Sequence, residues 1–377
     1  MYVRPHTLFQ RFMAGLDAEP ESSAVQSAAK SPKLGDFLVE LDHDMSLDWS
    51  GQSFQGLPAL RENIVQRTGT GAFCGVDDVL ITAGAAEANF LAISQLVQPG
   101  DEMIVDVPGW PQPLVLGEAI GATVTPLPRD EGNDWRFDMD QLAATVSDKT
   151  KLIFICNPNN PTGQLMTESE LTELVAIAER VGAYVLCDEV YAGLEWDVPA
   201  VARVANHYER GISTGSVSKV LGLQGLRTGW LICRDRQVVF DAMVLREDTS
   251  EIMNIMGEAI AEIALRDSRY ATAVRLAKAD GLANIELVDT WIAERAEVSW
   301  VRPAAGLIGF CRLHTPFTAD TLADKLLQPP YKTFVMPGSA YNCPQHLRLG
   351  FGGGADANLE QALQHLGRCL DELAQLS

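Results

Sequence analysis

Short apolar runs rich in β-branched residues alternate with longer segments of helical periodicity over the first two thirds of the chain. Several of the short runs are apolar throughout, which is typical of strands that are buried on both faces of a sheet. The pattern predicts seven strands, over residues 78–84, 101–108, 122–128, 151–158, 183–190, 211–218 and 229–234.

The segments between these runs predict helices. Residues 86–97 and 167–182 have the apolar spacing of amphipathic helices, and the second begins with a capping box of Thr167 and Glu170. Strands that alternate with helices form a mostly parallel sheet between two helix layers. We therefore predict an α/β fold with a large domain built on a mostly parallel seven-stranded sheet.

The pattern changes beyond about residue 235. A long helical tract over residues 258–296 is followed by short strands and a final amphipathic helix, which predicts a smaller α+β domain. Residues 18–51 have weak periodicity. The predicted limits are residues 1–50 as an N-terminal part of the small domain, 51–275 as the large domain and 276–377 as the small C-terminal domain.

Charge and composition exclude several classes of protein. The net charge is −21, from 50 acidic and 29 basic residues, which disfavours nucleic acid and anionic membranes as partners. No apolar run reaches the ~20 residues that span a bilayer, and the first residues do not resemble a signal peptide. The seven cysteines have no paired spacing. We expect a soluble cytoplasmic protein with reduced cysteines and no metal site.

Unusual polar residues follow the ends of the predicted strands. The stretch "CNPNNPTG" (156–163) comes after a buried strand, at the edge of the sheet where open α/β folds bind ligands. Its asparagines can donate and accept hydrogen bonds there. The alternative is a rigid turn between strand and helix.

Two acids follow the next strand, in "CDEVYAGL" (187–194). A carboxylate at the end of a buried strand is desolvated and requires a cationic partner, which makes Asp188 a candidate site residue. The alternative is that Asp188 caps a turn while Glu189 is solvated.

The stretch "ITAGAAEANF" (81–90) changes from strand to helix at Gly84. Small residues at this point leave backbone N–H groups of the helix N-terminus open to an anion. An ordinary tight turn is the alternative.

One lysine and one arginine lie among small and apolar residues in "SVSKVLGLQGLRTGW" (216–230). A desolvated lysine such as Lys219 has a lowered pKa and reacts with carbonyls, and Arg227 can bind a phosphate group. A reactive amine, a buried acid, an open helix N-terminus and this arginine are together what pyridoxal phosphate requires. The amine forms a Schiff base, and the acid keeps the pyridine nitrogen protonated.

The order of "GAAEA", "NPNNPTG", "DEVY", "SVSKVLGLQGLRTGW" and "LRLGFG" resembles the class I/II aminotransferases, which are fold-type I pyridoxal-phosphate-dependent enzymes. The motifs span about residues 56–352, so the resemblance covers most of the chain. It implies that Lys219 is the Schiff-base lysine and moves a proton between the substrate Cα and the cofactor. It also implies that Asp188 partners the pyridine nitrogen.

The resemblance assigns the other site residues as well. Asn160 and Tyr191 match the groups that hydrogen-bond the phenolic oxygen of the ring, and Trp110 matches the stacked aromatic. Arg348, in "HLRLGFG", matches the arginine that binds the substrate carboxylate together with Asn160; its alternative is a surface strand residue. The phosphate site would be formed by Ser216, Arg227 and the backbone at Gly84, Ala85 and Ala86, and Ser218 is a further cofactor-binding residue.

Two segments depart from the family pattern. Many relatives have a tyrosine where this chain has Gly51, so either the phosphate site is incomplete or Trp49, Ser53 or Phe54 replaces the tyrosine. The segment 246–258 carries Glu251 and Asn254, polar groups that could contact a substrate side chain from the partner subunit. The family builds its site at a dimer interface, and we therefore expect a homodimer.

The predicted function is transfer of an amino group between an amino acid and a 2-oxo acid. The N-terminal segment resembles the branch that contains capreomycidine synthase. The same cofactor chemistry could therefore end in elimination, cyclisation or oxidation of an amino acid, including one with a guanidino group. A non-catalytic ligand-binding regulator on this fold is a third possibility.

Overall fold

The computed structural model of the chain describes residues 1–48, 52–200, 203–353 and 358–376. Its strands, numbered along the chain, are β1 Ser22–Ser23, β2 Val25–Gln26, β3 Val79–Thr82, β4 Glu102–Val107, β5 Thr123–Asp130, β6 Arg136–Phe137, β7 Thr150–Cys156, β8 Tyr184–Asp188, β9 Gly211–Ser216, β10 Gly229–Cys233, β11 Val298–Trp300, β12 Ile308–Leu313, β13 Thr333–Phe334, β14 Met336–Pro337 and β15 His346–Phe351. Its helices are α1 Thr7–Asp17, α2 Pro58–Arg67, α3 Ala85–Leu96, α4 Gln112–Ile120, α5 Met139–Thr145, α6 Glu168–Val181, α7 Val204–His207, α8 Arg236–Glu247, α9 Ile255–Leu265, α10 Asp267–Ala293, α11 Ala319–Leu327 and α12 Leu359–Leu376.

All seven predicted strands lie in one sheet of eight strands, whose order is β3-β10-β9-β8-β7-β4-β5-β6. The sheet is parallel from β9 to β5, and β10 runs antiparallel to both of its neighbours. The eighth strand, β6, was not predicted because only two residues pair with the edge of β5. The fold class is confirmed, and the carboxyl ends of β4, β7, β8 and β9 meet at one edge.

The strands are apolar throughout because both faces of the sheet are covered. Along β7, Leu152 and Phe154 pack in the cluster formed with α3 and α8, whereas Ile153 and Ile155 pack in the cluster formed with α6. All four side chains are fully buried. Burial of each such side chain stabilises the fold by about 1.5–3 kcal/mol. The rigid sheet therefore fixes the positions of the residues that follow each strand.

The predicted start of α6 is confirmed in detail. The Thr167 Oγ1 accepts a hydrogen bond from the Glu170 N–H at 3.2 Å, and the Glu170 carboxylate accepts one from the Thr167 N–H at 2.6 Å. The helix ends at Gly182, whose φ of 70° is in the left-handed region. Both ends were readable because caps depend on local residue types.

A second sheet combines the two ends of the chain. Strands β11, β12, β15 and β14 are antiparallel neighbours, and β2 from the N-terminal segment pairs in parallel with β15. The N-terminal segment also pairs with β13 through β1. The predicted boundary between residues 275 and 276 falls inside the continuous helix α10, and the domain limits stay a prediction.

The predicted single helical tract over residues 258–296 is wrong in one respect. Arg266 has extended backbone, with φ −61° and ψ 147°, and separates α9 from α10. Apolar periodicity does not detect a one-residue break, because both helices continue to bury apolar residues on either side of it. In the part of the chain that the structure describes, no helix has the length and apolar character to cross a membrane.

Candidate active site

The turn between β3 and α3 leaves the helix N-terminus without a side-chain cap. Gly84 occupies the capping position with a φ of 86°. A Cβ atom on Gly84 would lie 2.5 Å from Arg227 Nη2, so the guanidinium lies directly against this turn. The same nitrogen donates to the Ala83 carbonyl at 3.1 Å. The N–H groups of the helix start and the exposed Arg227 are both suited to bind an anion.

Strand β10 brings Ser216 to the same place. Gly229 pairs with Thr82 of β3 on one side and with Ser216 of β9 on the other. A Cβ atom on Gly229 would lie 2.6 Å from the Ala85 nitrogen, so only glycine allows the strand to approach the helix start this closely. The buried Ser216 Oγ accepts a hydrogen bond from the Ser218 N–H at 3.3 Å.

Trp110 lies in the loop after β4. Its ring is half-buried and makes an edge contact with His6, with 6.3 Å between ring centroids. Two residues further on, the Gln112 Nε2 donates to the Ala86 carbonyl at 2.7 Å. The loop of Trp110 is therefore tied to the first turn of α3.

Asp188 ends β8 and is held by a chain of hydrogen bonds. Its Oδ2 accepts from Asn89 Nδ2 at 2.8 Å, and the Asn89 Oδ1 accepts from Thr214 Oγ1 at 2.8 Å. Its Oδ1 accepts a hydrogen bond from the Val190 N–H at 3.2 Å. The alternative that Asp188 caps a turn therefore accounts for this contact, but not for the contact with Asn89. Burial raises the pKa of Asp188, because the charged form loses its water. A cation next to this carboxylate would offset that cost.

Glu189, the neighbouring acid, is buried and fully engaged. It pairs with Arg203 at 3.0 Å and accepts hydrogen bonds from Ser213 Oγ at 2.9 Å and the Val204 N–H at 3.1 Å. The alternative of a solvated Glu189 is therefore wrong. The two adjacent acids have separate environments, and Glu189 contributes to structure.

Asn160 lies in a loop that is anchored to β4. Its neighbour Asn159 donates to Asp106 at 3.3 Å and to the Pro108 carbonyl at 3.2 Å. Asp106 in turn pairs with Arg129 at 3.1 Å, and neither side chain is more than 1% exposed. These contacts join the loop of Asn160 to the loop of Trp110. A rigid turn at residues 156–163 is therefore compatible with a binding role for Asn160.

Lys219 follows β9 and its amine is enclosed by the site. The Nζ donates to Ser27 Oγ at 2.9 Å and lies 5.6 Å from the centre of the Tyr191 ring. Burial lowers the pKa of Lys219 to about 8, and the positive charge of Arg348 adds to this effect while Asp188 opposes it. The sequence prediction of a lysine with a lowered pKa agrees with this environment.

Arg348 lies on β15 and is only 2% exposed, so the surface alternative is wrong. Its Nη2 donates to the Val25 carbonyl at 2.8 Å, and its Nη1 donates to the Tyr341 hydroxyl at 3.2 Å. That hydroxyl donates to Asn160 Oδ1 at 3.3 Å. The Nε is buried and has no hydrogen-bond partner among the residues that the structure describes. A buried cation with a free donor is suited to bind an anionic group.

Of the residues around the missing tyrosine, the structure describes Ser53 and Phe54, whereas Gly51 and Trp49 lie outside the described residues. The Ser53 Oγ accepts a hydrogen bond from the Gln55 N–H at 3.2 Å, and the Phe54 carbonyl accepts one from Arg246. Replacement of the tyrosine by one of these residues stays a prediction.

Glu251 and Asn254 differ in their surroundings. Asn254 caps α9 by accepting a hydrogen bond from the Gly257 N–H at 3.0 Å. Glu251 is exposed and has a φ of 56°. Within this single chain, the cap accounts for Asn254, and a contact of either residue with substrate stays a prediction.

Sequence reasoning missed four residues at the site: Ser27, Asn89, Thr214 and Tyr341. Asn89 is a polar residue on the buried face of α3, and this signal could have been recognised. The other three have no local signal, because their partners are far away in the chain.

The residues present fit pyridoxal phosphate. The open helix start and Arg227 suit a phosphate, the buried Asp188 suits a protonated ring nitrogen, and the Lys219 amine suits a covalent bond. The free Nε of Arg348 suits a substrate carboxylate.

Comparison with known proteins agrees with this geometry. Residues 24–366 match the family described as aminotransferase class I and II. Capreomycidine synthase of Streptomyces vinaceus is 30% identical over 274 residues, which are 72% of this chain and 69% of that protein. An aspartate aminotransferase of Streptomyces avermitilis is 28% identical over 84% of this chain and 80% of its own length.

A solved structure extends the likeness to the whole fold. The structure of a pyridoxal-phosphate-dependent aminotransferase from Streptococcus suis 89-1591 superposes with a TM-score of 0.90 at 27% identity and covers 99% of both chains. The match over most of the chain implies pyridoxal 5'-phosphate as cofactor and an enzyme of the transaminase class. The chain belongs to the class I and II aminotransferase family of fold-type I enzymes.

Proposed function

We propose that this protein transfers an amino group between an amino acid and a 2-oxo acid, with Lys219 as the covalent anchor of the cofactor and Arg348 as the binding group for the substrate carboxylate. The observation that carries this proposal is the enclosed Lys219 amine, on which Arg348 and Asp188 both act electrostatically. The electrostatic surroundings of the amine therefore include both a cation for the substrate and an acid for the cofactor ring.

The cofactor-binding residues are part of the same proposal. The phosphate would be held by Arg227 and the start of α3, and Trp110 would pack against the ring. The ring's phenolic oxygen would accept hydrogen bonds from Asn160 and Tyr191. The full set proposed for the phosphate is Gly84, Ala85, Ala86, Ser216 and Arg227, with Ser218 as a further cofactor-binding residue next to Ser216.

Proton transfer is assigned to Lys219. Bound pyridoxal phosphate stabilises the negative charge that develops on Cα when its proton leaves. An amine with a pKa of about 8 is near its midpoint at neutral to mildly alkaline pH, so it can both take a proton and return it. Arg348 would hold the carboxylate and thereby orient the Cα–H bond toward the Lys219 Nζ.

The pH dependence of cofactor uptake tests the Lys219 environment. Only the neutral amine attacks a carbonyl, and a lowered pKa makes that form available at lower pH. The rate of pyridoxal phosphate uptake by the cofactor-depleted protein should rise with pH, with a midpoint at about 8, and then level off. Stopped-flow absorbance measures this rate, and Nα-acetyl-lysine serves as control. A rate that still rises at pH ~10, as for an ordinary lysine, would contradict the assignment.

A second outcome is favoured by the 30% identity to capreomycidine synthase. The protein could carry out elimination, cyclisation or oxidation of an amino acid, including a guanidino amino acid, without a 2-oxo acid acceptor. The same residues would serve for cofactor binding and for removal of the Cα proton.

Product analysis distinguishes the two outcomes. The holoprotein is incubated with a panel of amino acids, including arginine and hydroxyarginine, with and without a 2-oxo acid. We expect a new 2-oxo acid and an equal amount of aminated acceptor, with ping-pong kinetics. Release of ammonia or water, or a cyclised product, in the absence of the acceptor would refute the transaminase proposal and support the second outcome.

A homodimer in the cytoplasm is part of the same proposal. The family resemblance supports the dimer. All seven cysteines are free thiols, which supports a reducing compartment.

A further inference from the structure

The segment from Val25 to Lys30 is fixed between the two halves of the site. Its strand β2 pairs with β15: Val25 lies opposite Gly350, which is two residues after Arg348. The Gln26 carbonyl accepts a hydrogen bond from the Gly352 N–H at 2.8 Å. On its other side, the Ala29 N–H donates to the Lys219 carbonyl at 2.8 Å. The segment is therefore anchored to both the proposed substrate arginine and the reactive lysine.

Ser27 lies in the middle of this segment and is 8% exposed. Its Oγ accepts a hydrogen bond from Lys219 Nζ at 2.9 Å. A protonated amine can only donate, so the serine hydroxyl serves as the acceptor of this bond. The same hydroxyl also acts on the Tyr191 phenol, where it opposes the burial that raises the pKa of Tyr191.

The amine benefits from a hydrogen-bond acceptor because the charges around it have opposite effects on its ammonium form. Arg348 and Arg227 disfavour the ammonium form, whereas Asp188 and Cys156 favour it. The Tyr191 ring also faces the amine, at 5.6 Å. Within the described residues, Ser27 is the group that hydrogen-bonds Nζ directly.

We propose that Ser27 is a positioning residue for Lys219: it holds and orients the amine whenever that nitrogen is not covalently bound to the cofactor. This proposal rests on the proposed function, in which the free amine carries the Cα proton. Val25 belongs to the same segment, and its carbonyl accepts a hydrogen bond from Arg348. The segment therefore sets the position of the amine relative to the substrate carboxylate.

Removal of the hydroxyl should change the amine in a defined direction. The ammonium form loses its hydrogen-bond acceptor, whereas the neutral amine loses a weaker contact. In Ser27→Ala, the midpoint of cofactor uptake against pH should therefore move about one unit lower, which is about a tenfold change in the protonation equilibrium. The kcat should fall about tenfold with KM changed less than about twofold, because orientation of the amine acts on the chemical step.

The matched control is Ser22→Ala, which removes a buried hydroxyl from β1, just before this segment. Ser22 bonds to Thr333 at 2.9 Å, away from the lysine. Its uptake midpoint and kcat should equal those of the unmodified protein. Ser27→Thr keeps a hydroxyl and should retain the original midpoint. If Ser27→Ala does not fold, Ser27→Cys replaces the hydroxyl with a much weaker acceptor and should produce the same shift.

The outcome separates this proposal from the proposed function. An unchanged midpoint and kcat in Ser27→Ala would overturn the role of Ser27, even if amino-group transfer is observed. A shifted midpoint in a protein that forms no aminated acceptor would retain the contact between Ser27 and Lys219 but refute the transaminase reaction.

Discussion

Lys219→Ala should eliminate the visible absorption band of lysine-bound pyridoxal phosphate and lower kcat/KM by about 10³-fold or more. Loss of a positioned general acid–base alone costs about 10²- to 10⁴-fold, and this substitution also removes the covalent anchor. Folding should be retained, because the hydrogen bond that the amine makes among the described residues is the one to Ser27, and shortening the side chain relieves a desolvated charge.

Absorbance spectra and steady-state kinetics on the purified full-length variant measure both effects. Lys149→Ala is the matched control, since Lys149 is exposed and its removal should leave the spectrum and the rate unchanged. Lys219→Arg keeps a cation at this position but cannot form the covalent bond, so it should resemble the alanine variant. A normal spectrum in Lys219→Ala would refute the assignment of Lys219 as the anchor.

Asp188→Asn should lower kcat by about 10²- to 10³-fold, the second-largest effect that we expect. The substitution keeps the shape of the side chain and the Asn89 contact, but it removes the charge that would pair with a protonated ring nitrogen. Leaving one partner of a buried charge pair without the other costs about 3–5 kcal/mol, and each ~1.4 kcal/mol is a tenfold change in rate.

The control is Glu189→Gln, which changes the adjacent buried acid. Glu189 pairs with Arg203, so its loss should lower the melting temperature. Turnover per bound cofactor should stay close to that of the unmodified protein. Equal kcat values for Asp188→Asn and the unmodified protein, measured with saturating cofactor, would contradict the role of Asp188.

Much of the candidate site could be predicted because its residues follow the ends of parallel strands. The positions of Asp188 after β8 and of Lys219 after β9 are local features of the chain, and the sheet brings adjacent strand ends to one edge. The start of α3 at Gly84 and the cap at Thr167 depend on residue types within one turn. Such features are visible in a sequence.

The contacts of these residues could not be predicted in the same way. Ser27 and Lys219 are 192 positions apart, and Tyr341 and Asn160 are 181 positions apart. Segment 18–51 has weak periodicity because β1 and β2 are only two residues long and pair with strands near the other end of the chain. No local pattern specifies a partner at that separation.

The sequence alone determined the seven strands of the central sheet and the types of residue that follow their ends, because both depend on short-range periodicity and turn chemistry. The tertiary structure decided which groups surround the Lys219 amine and lower its pKa to about 8. It also decided that Ser27 and Tyr341 belong to the site. The physical reason is that desolvation and charge interactions depend on distances in space, which only the packed fold defines.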